Sequence, residues 1–483
     1  MKEQVIDRRQ FLRSATTALA AVSLSGAFLG AAEKGKGNDK PNFVVIFSDD
    51  LGYGDIGCFG SKKHRTPNLD RMAQQGIRFT SFYVSSGVCT PSRSSLMTGC
   101  YPRRVNMHEN EEGDCVLFPV NHKGLNPAEI TIAEILKDQG YATACIGKWH
   151  LGDQPQFLPT RQGFDYYFGI PYSNDMGDEQ GHGNPPLPLL RNETVIEAPA
   201  NQDTLTKRYG EETINFIRKN KDRPFFVYLP HAMPHNPVHA SENFRGKSKN
   251  GRYGDAVEEI DFWTGQILAE LKKLNLDEKT LVLFTSDNGA HKKFGGSNSP
   301  LRGFKGSTWE GGMREPFIAR WPGKIPAGTT CDEVATTMDL LPTFAELAQT
   351  KPPTDRIIDG KNIWPLLSNQ KDAATPHEAF YYYQMDQLQA VRSGKWKLHL
   401  PLKPKKRNWG SPDPQSPLQL YDLNADIGEK NNIADKHGDV VKRLMALAEK
   451  ARADLGDINR PGKNQRPAAF IQNPKPLLKR PSK

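Results

Sequence analysis

Cys89-Thr90-Pro91-Ser92-Arg93 sets a thiol just ahead of a helix and a cation one turn into it. Pro91 suits a first helical turn and Gly99 a helix end, so the spacing predicts a helix from about Pro91 that stops at Gly99. A thiol at a helix N-terminus lies in a positive field, and Arg93 adds a fixed charge beside it. That combination serves chemistry on anions. A buried structural Cys beside a surface Arg is the commoner origin of so short a motif, so the rest of the chain has to decide.

Four further polar clusters bear on that decision. Asp49-Asp50 places two carboxylates side by side; they repel, and burying them calls for a cation, most economically a metal. Lys148 and His150 stand two apart, His235 lies in a Pro-rich loop, and Asp287-Asn288 closes the set. Each cluster follows a continuous apolar run of the kind that forms a buried parallel strand, at 42–47, 141–146, 224–229 and 280–285. In open α/β sheets ligands gather beyond the carboxyl ends of strands. One such cluster could be turn chemistry; four in the same placement point to one site. The Gly-rich stretch 295–306 lets backbone approach a ligand closely, with Lys305 as its charge. It lacks the Gly-Lys-Ser/Thr ending of a nucleotide loop.

The elements that must carry these residues alternate. Helices are expected at 66–76, 131–140, 205–220, 253–274 and 337–348, with further strands at 77–84 and 316–321. This pattern predicts an α/β fold, a large mostly parallel doubly wound sheet flanked by helices, over residues 33–378. From residue 379 the pattern turns to two strand-like runs about Ser393-Gly394 at 388–400, a third at 418–423 and a helix at 440–454. That implies a smaller C-terminal α+β subdomain with an antiparallel sheet, over 379–459. Residues 153–203 read as a long substrate-facing excursion and 403–407 as a solvated basic loop. The basic Pro-rich tail 460–483 reads as a disordered, solvated end.

Cys-x-Pro-x-Arg followed by Ser-Leu-Met-Thr-Gly resembles the signature of the type I formylglycine-dependent sulfatases of the alkaline phosphatase superfamily. The resemblance extends through Asp-Asp-Leu-Gly-Tyr-Gly-Asp from Asp49, Gly-Lys-Trp-His-Leu-Gly from Gly147, Pro-His-Asn-Pro around His235 and Ser-Asp-Asn-Gly from Ser286. Within that family, Gly-Gly-Ser-Asn and Phe-Lys-Gly-Ser-Thr-Trp-Glu-Gly-Gly-Met-Arg-Glu-Pro are most similar to the arylsulfatase A and N-acetylgalactosamine-6-sulfatase group. The resemblance implies hydrolysis of sulfate esters, with Cys89 oxidised to 3-oxoalanine (formylglycine) by a maturating enzyme. It implies one Ca²⁺ held by Asp49, Asp50, Asp287, Asn288 and an oxygen of converted Cys89. It assigns Arg93, Lys148, His150, His235 and Lys305 to sulfate binding and proton handling, and leaves His231, His239 and His291 without a role. One hydroxyl of the hydrated aldehyde would attack sulfur, His235 or Lys305 would protonate the departing alcohol, and His150 would take the proton that releases sulfate. A sulfated carbohydrate such as a galactose or N-acetylgalactosamine sulfate is expected ahead of a small aryl sulfate.

The chain has 483 residues and a formal charge of +9, but residues 1–32 contribute +2 and residues 460–483 contribute +7. The body between them is neutral, which motivates no nucleic-acid partner. Arg8-Arg9 ahead of a weakly apolar run predicts a twin-arginine signal over 1–32, hence a periplasmic or secreted protein with no stable membrane span. Six cysteines are too few for a disulfide scaffold. Two rival functions stay open: hydrolysis of phosphate or phosphonate monoesters, and non-catalytic binding of sulfated glycans.

Overall fold

The computed structural model describes residues 40–181, 183–402 and 416–479; the expected signal sequence and basic loop 403–407 lie outside them. Residues from Lys40 onward form one compact unit.

At its centre is the strand Asn42–Ser48, buried throughout. Its side chains alternate between two hydrophobic clusters, Phe43, Val45 and Phe47 entering one and Val44 and Ile46 the other. An apolar run with no polar face is what a sheet covered on both sides requires. Phe225–Pro230 and Thr280–Ser286 flank this strand in parallel, and Ala142–Ile146 lies outside the former, again parallel. Arg314–Arg320 and Ile77–Tyr83 add antiparallel and parallel neighbours on one side. Covering helices include Pro67–Gln74, Leu205–Lys219 and Gly251–Lys273. Thr131 caps the helix Ile132–Asp138, accepting from the Glu134 amide at 3.2 Å while Glu134 accepts from the Thr131 amide at 2.8 Å. The expected helix at 337–348 opens as a 3₁₀ turn, Thr337–Asp339, before the α-helix Leu340–Leu347.

The C-terminal region is a four-stranded antiparallel meander, Phe380–Gln384, Gln387–Ser393, Trp396–His399 and Gln419–Asp422, backed by the helix Gly438–Leu455. Its core is continuous with Tyr83, Tyr101 and Met313 of the main domain.

Three expectations need correction. Residues 153–203 are not simply an excursion: Tyr166–Gly169, Leu189–Arg191 and Thr194–Glu197 extend the main sheet at its edge. The tail, though mostly exposed, is tied to the domain through residue 479: Ala469–Phe470 pairs antiparallel with Lys123–Gly124 and Arg466 meets the buried Glu129 at 2.7 Å. The helix that carries Cys89 runs Cys89–Thr98, so Cys89 lies inside the first turn and not ahead of it. Val88 supplies the extended cap residue, and Gly99 closes the helix at φ 67° as its type suggested.

Candidate active site

All ten residues singled out by the sequence converge beyond the carboxyl edge of the main sheet. Asp49 and Asp50 leave the central strand, Asp287 and Asn288 leave its parallel neighbour, and all four are buried. Asp50 and His150 both adopt φ 62°, a left-handed backbone that non-glycine residues take at a cost and that clusters at functional sites. Gly147 lets the next turn form. A Cβ there would stand 1.8 Å from the Pro230 carbonyl, yet the backbone must pass so that the Lys148 amide can donate to that carbonyl at 2.8 Å.

Three cations interleave with three carboxylates. Arg93 is fully buried and donates to Asp287 at 2.7 and 3.2 Å, approaches Asp49 at 3.3 Å, and holds the Lys148 carbonyl at 2.8 Å. Lys148 Nζ reaches Asp49 at 2.5 Å and Ser173 Oγ at 3.0 Å. Lys305 Nζ lies 2.8 and 2.9 Å from the two oxygens of Asp50. Although burial opposes ionisation, Lys148, His235 and Arg93 hold the Asp49 carboxyl well below the usual range. Burial and the charge of Asp49 push Asp287 upward. The two acids thus compete for the same positive field, which a cation between them would relieve.

Cys89 Sγ lies 3.8 Å from Asp49 Oδ1. Burial raises its thiol far above the ordinary range, outweighing the attraction of Lys148 and Lys305, and Asp49 and Asp287 oppose the thiolate too. The positive field expected at the helix start is therefore outweighed by desolvation. The unmodified side chain is a poor nucleophile here.

His150 points Nε2 at the Leu117 carbonyl, 2.9 Å away, so Nε2 carries the proton; Nδ1 is buried with no partner. Burial, then Lys148 and Arg93, hold this ring neutral well below the ordinary histidine range. His235 donates from Nδ1 to the Asn236 carbonyl at 2.6 Å and holds Nε2 3.7 Å from Asp50.

Asp49, Asp50, Cys89 and His235 offer metal-ligand atoms within 4.8 Å of one another. Asp287 stands against this group, its Oδ1 accepting the Asp50 amide at 3.2 Å. The Asn288 amide donates to Asp50 at 2.7 Å while its own oxygen is buried and unpartnered. With the thiol kept protonated, what remains is a set dominated by carboxylate and amide oxygens, which fits a hard cation of the calcium type.

A cavity of about 110 Å³ opens over this floor, lined by Cys89, His150, His235 and Lys305. Its walls bring residues that sequence reasoning missed: Asp114, Phe118, Ser173 and Asp175. Ser173 and Asp175 follow the strand Tyr166–Gly169, so the signal was one more polar cluster past a strand end. Glu315, in the Gly-Gly-Met-Arg-Glu-Pro run, is fully buried with neither carboxylate oxygen paired, and burial, with the charges of Asp287 and Asp50, pushes its carboxyl well above the usual range.

A doubly wound sheet that gathers cations and carboxylates about a single side chain at its carboxyl edge defines a hydrolase of anionic esters. The family model described as Sulfatase matches residues 41–350, and that of the N-sulphoglucosamine sulphohydrolase C-terminal region matches 305–454. The chain belongs to the sulfatase family, and it is a sulfuric ester hydrolase. It is 42% identical to N-acetylgalactosamine-6-sulfatase of Canis lupus familiaris over 393 residues, 78% of this chain and 74% of that one. Identity to human arylsulfatase A is 39% over 430 residues, 81% and 83% of the two chains. Among solved structures, Ps i-CgsB in complex with k-i-k-neocarrahexaose superposes with a TM-score of 0.72 at 32% identity, covering 85% of this chain and 92% of that one.

Proposed function

We propose that the chain hydrolyses sulfate esters of carbohydrates, with Cys89 matured to formylglycine by a separate enzyme and with one bound Ca²⁺. The observation that carries the substrate class is the wall above the cationic floor. Asp114 and Asp175 line the same cavity as Lys305 and His235. Carboxylates cannot face the sulfate; they need donors, and the hydroxyl groups of a sugar supply them where an aryl ring has none. A relative named for a sulfated amino sugar and a structural neighbour bound to an oligosaccharide agree with this reading.

In the matured enzyme the aldehyde hydrate would supply the attacking hydroxyl at position 89, and Ca²⁺, held by Asp49, Asp50, Asp287 and Asn288, would offset negative charge on the sulfate. Arg93, Lys148 and Lys305 surround the sulfate position as fixed donors, lowering the cost of charge that shifts onto its oxygens. His150 offers the lone pair of Nδ1 as proton acceptor. His235 and Lys305 face the departing oxygen's side of the cavity as proton donors. The paired arginines near the N-terminus support export through a twin-arginine signal to the periplasm or beyond. Among the described residues no helix is long and apolar enough to cross a membrane.

The test is sulfate release by purified, Ca²⁺-loaded protein from 4- and 6-sulfated galactose and N-acetylgalactosamine, an aryl sulfate and the matching aryl phosphate. A peptide mass at position 89 and a Cys89→Ala control accompany it. Selective release from a sugar, lost in the control, is expected. Faster phosphate release would overturn the assignment in favour of phosphoryl transfer.

A further inference from the structure

The cavity holds a sulfate and the groups beside it, so whatever follows the sulfated ring must leave through the mouth. Two of the seven large hydrophobic side chains exposed among the described residues belong to the cavity wall or adjoin it in sequence: Phe118 and Phe304. Phe118 lines the cavity itself, and Phe304 precedes Lys305.

Phe294 belongs to a short outward loop rooted directly on the site. Asn298 clamps its base, accepting the Ala290 amide at 2.9 Å and donating to the Ala290 carbonyl at 3.1 Å and to Gly303 at 3.2 Å. Lys305 in turn donates its amide to Ala290 at 3.2 Å. From this base the chain projects as His291-Lys292-Lys293-Phe294, and Asn250 holds its far side through Gly295 at 3.1 Å. The rings of His291 and Phe294 pack with centroids 4.7 Å apart. His291 directly follows Ala290, whose carbonyl accepts the amide of the cavity-lining Lys305, so the loop is rooted beside the cavity wall. Lys292 and Lys293 are exposed and form no ion pair within the described residues.

We infer that residues 291–294 form a subsite for the sugar ring adjoining the one that bears the scissile sulfate, and that this neighbouring ring is itself anionic, carrying a sulfate or a carboxylate. The Phe294 and His291 rings give an apolar face on which a sugar ring can lie. Lys292 and Lys293 give two cations with no ion-pair partner among the described residues. This deepens the carbohydrate reading and rests on it.

The test compares a sulfated monosaccharide with an oligosaccharide that ends in the same unit and carries a second sulfate on the next ring. Substrates are offered to the wild-type chain and to Lys292→Ala/Lys293→Ala and Phe294→Ala variants, all exposed changes that leave the floor intact. Each exposed charge contributes modestly, so the double variant should lose about five- to tenfold in kcat/KM on the oligosaccharide. The loss should fall in KM, flatten the salt dependence, and leave the monosaccharide unchanged. Equal effects on both substrates, or none on either, would overturn the subsite while leaving the sugar reading intact. Turnover of aryl sulfate with no saccharide cleaved by the wild type would remove the sugar reading and the subsite together.

Discussion

At position 89 burial and two nearby carboxylates make the thiolate costly, and the proposed formylglycine would remove that cost by replacing the sulfur. A Ser at that position could still form a sulfate ester but lacks the second hydroxyl that would expel it. Cys89→Ser should therefore lose about a thousandfold or more in turnover, and mass spectrometry should find sulfate held on the serine; full activity would refute the proposed chemistry. The three carboxylates lead to a second expectation. Stripping Ca²⁺ with a chelator should lower both the melting temperature and sulfate release, and Ca²⁺ should restore both where Zn²⁺ does not, because an oxygen donor set favours the hard ion. A third concerns acid. His231 is fully buried with neither ring nitrogen paired, and burial lowers it from 6.5 to about 3. The unfolded chain takes this proton below about 6.5 while the native one refuses it, so stability is full above that pH and falls as pH drops toward 3. The slope is about 1.4 kcal/mol per pH unit from this residue. Burial lowers His108 to about 4 and adds to it. Denaturant melts at stepped pH should show the decline, and His231→Phe should flatten it.

One element grips another around Lys305. In the C-terminal sheet, Lys397 is fully buried and reaches the Thr308 carbonyl at 2.8 Å and both Glu310 and Glu429 at 2.9 Å. Arg302 stacks over the Trp309 ring at 3.6 Å and donates to the Glu429 carbonyl at 2.8 Å. The loop that carries Lys305 is thus held by a different sheet from the one that carries its partner Asp50. Lys397→Met removes the buried cation that two buried carboxylates share, leaving Glu310 to Arg314 at 3.2 Å and Glu429 to His399 at 2.8 Å, and should cost about 3 kcal/mol in chemical denaturation. Under conditions where it remains folded, KM should rise as Lys305 loosens. This dependence explains what could be read in the sequence. Long apolar runs followed by polar clusters exposed the central strands and seven of the ten candidate site residues, because a strand covered on both faces has no polar positions to blur it; Cys89 and Arg93 came from a helix-start motif and Lys305 from a Gly-rich stretch. The strands Leu189–Arg191 and Thr194–Glu197 are three and four residues long at an exposed edge, and their pairing partners, not their own pattern, make them strands. The buried network around Lys397 was hidden for the same reason: Lys397 pairs with Glu310, 87 residues away along the chain, and with Glu429 in a different segment of it.

Across the whole molecule the last segment acts as a strap. Beyond the helix Gly438–Leu455 it crosses the main domain, where the Arg466 amide donates to the Arg104 carbonyl at 2.6 Å and Ile471 to His122 at 2.9 Å. Farther on, Gln154 both accepts from the Lys475 amide at 2.9 Å and donates to its carbonyl at 3.1 Å. What the strap binds is the stretch between residues 104 and 129, which carries Asp114 and Phe118 on the cavity wall and the Leu117 carbonyl that fixes His150. Proline and lysine in this segment signalled solvation, yet its backbone hydrogen bonds are spent on the domain, and Arg466 answers an acid that would otherwise be buried with only Arg356, 3.8 Å away. Truncation after Asp457 should therefore lower the melting temperature. It should also reduce kcat more than loss of a remote tail would, because His150 loses the support of its carbonyl partner. Arg466→Ala should reproduce part of the thermal loss, whereas Lys475→Ala, whose contacts are through its backbone, should not. Wild-type melting and turnover in the truncated chain would show that the strap merely rests on the surface; a coupled fall in both would make the C-terminus part of the active-site wall.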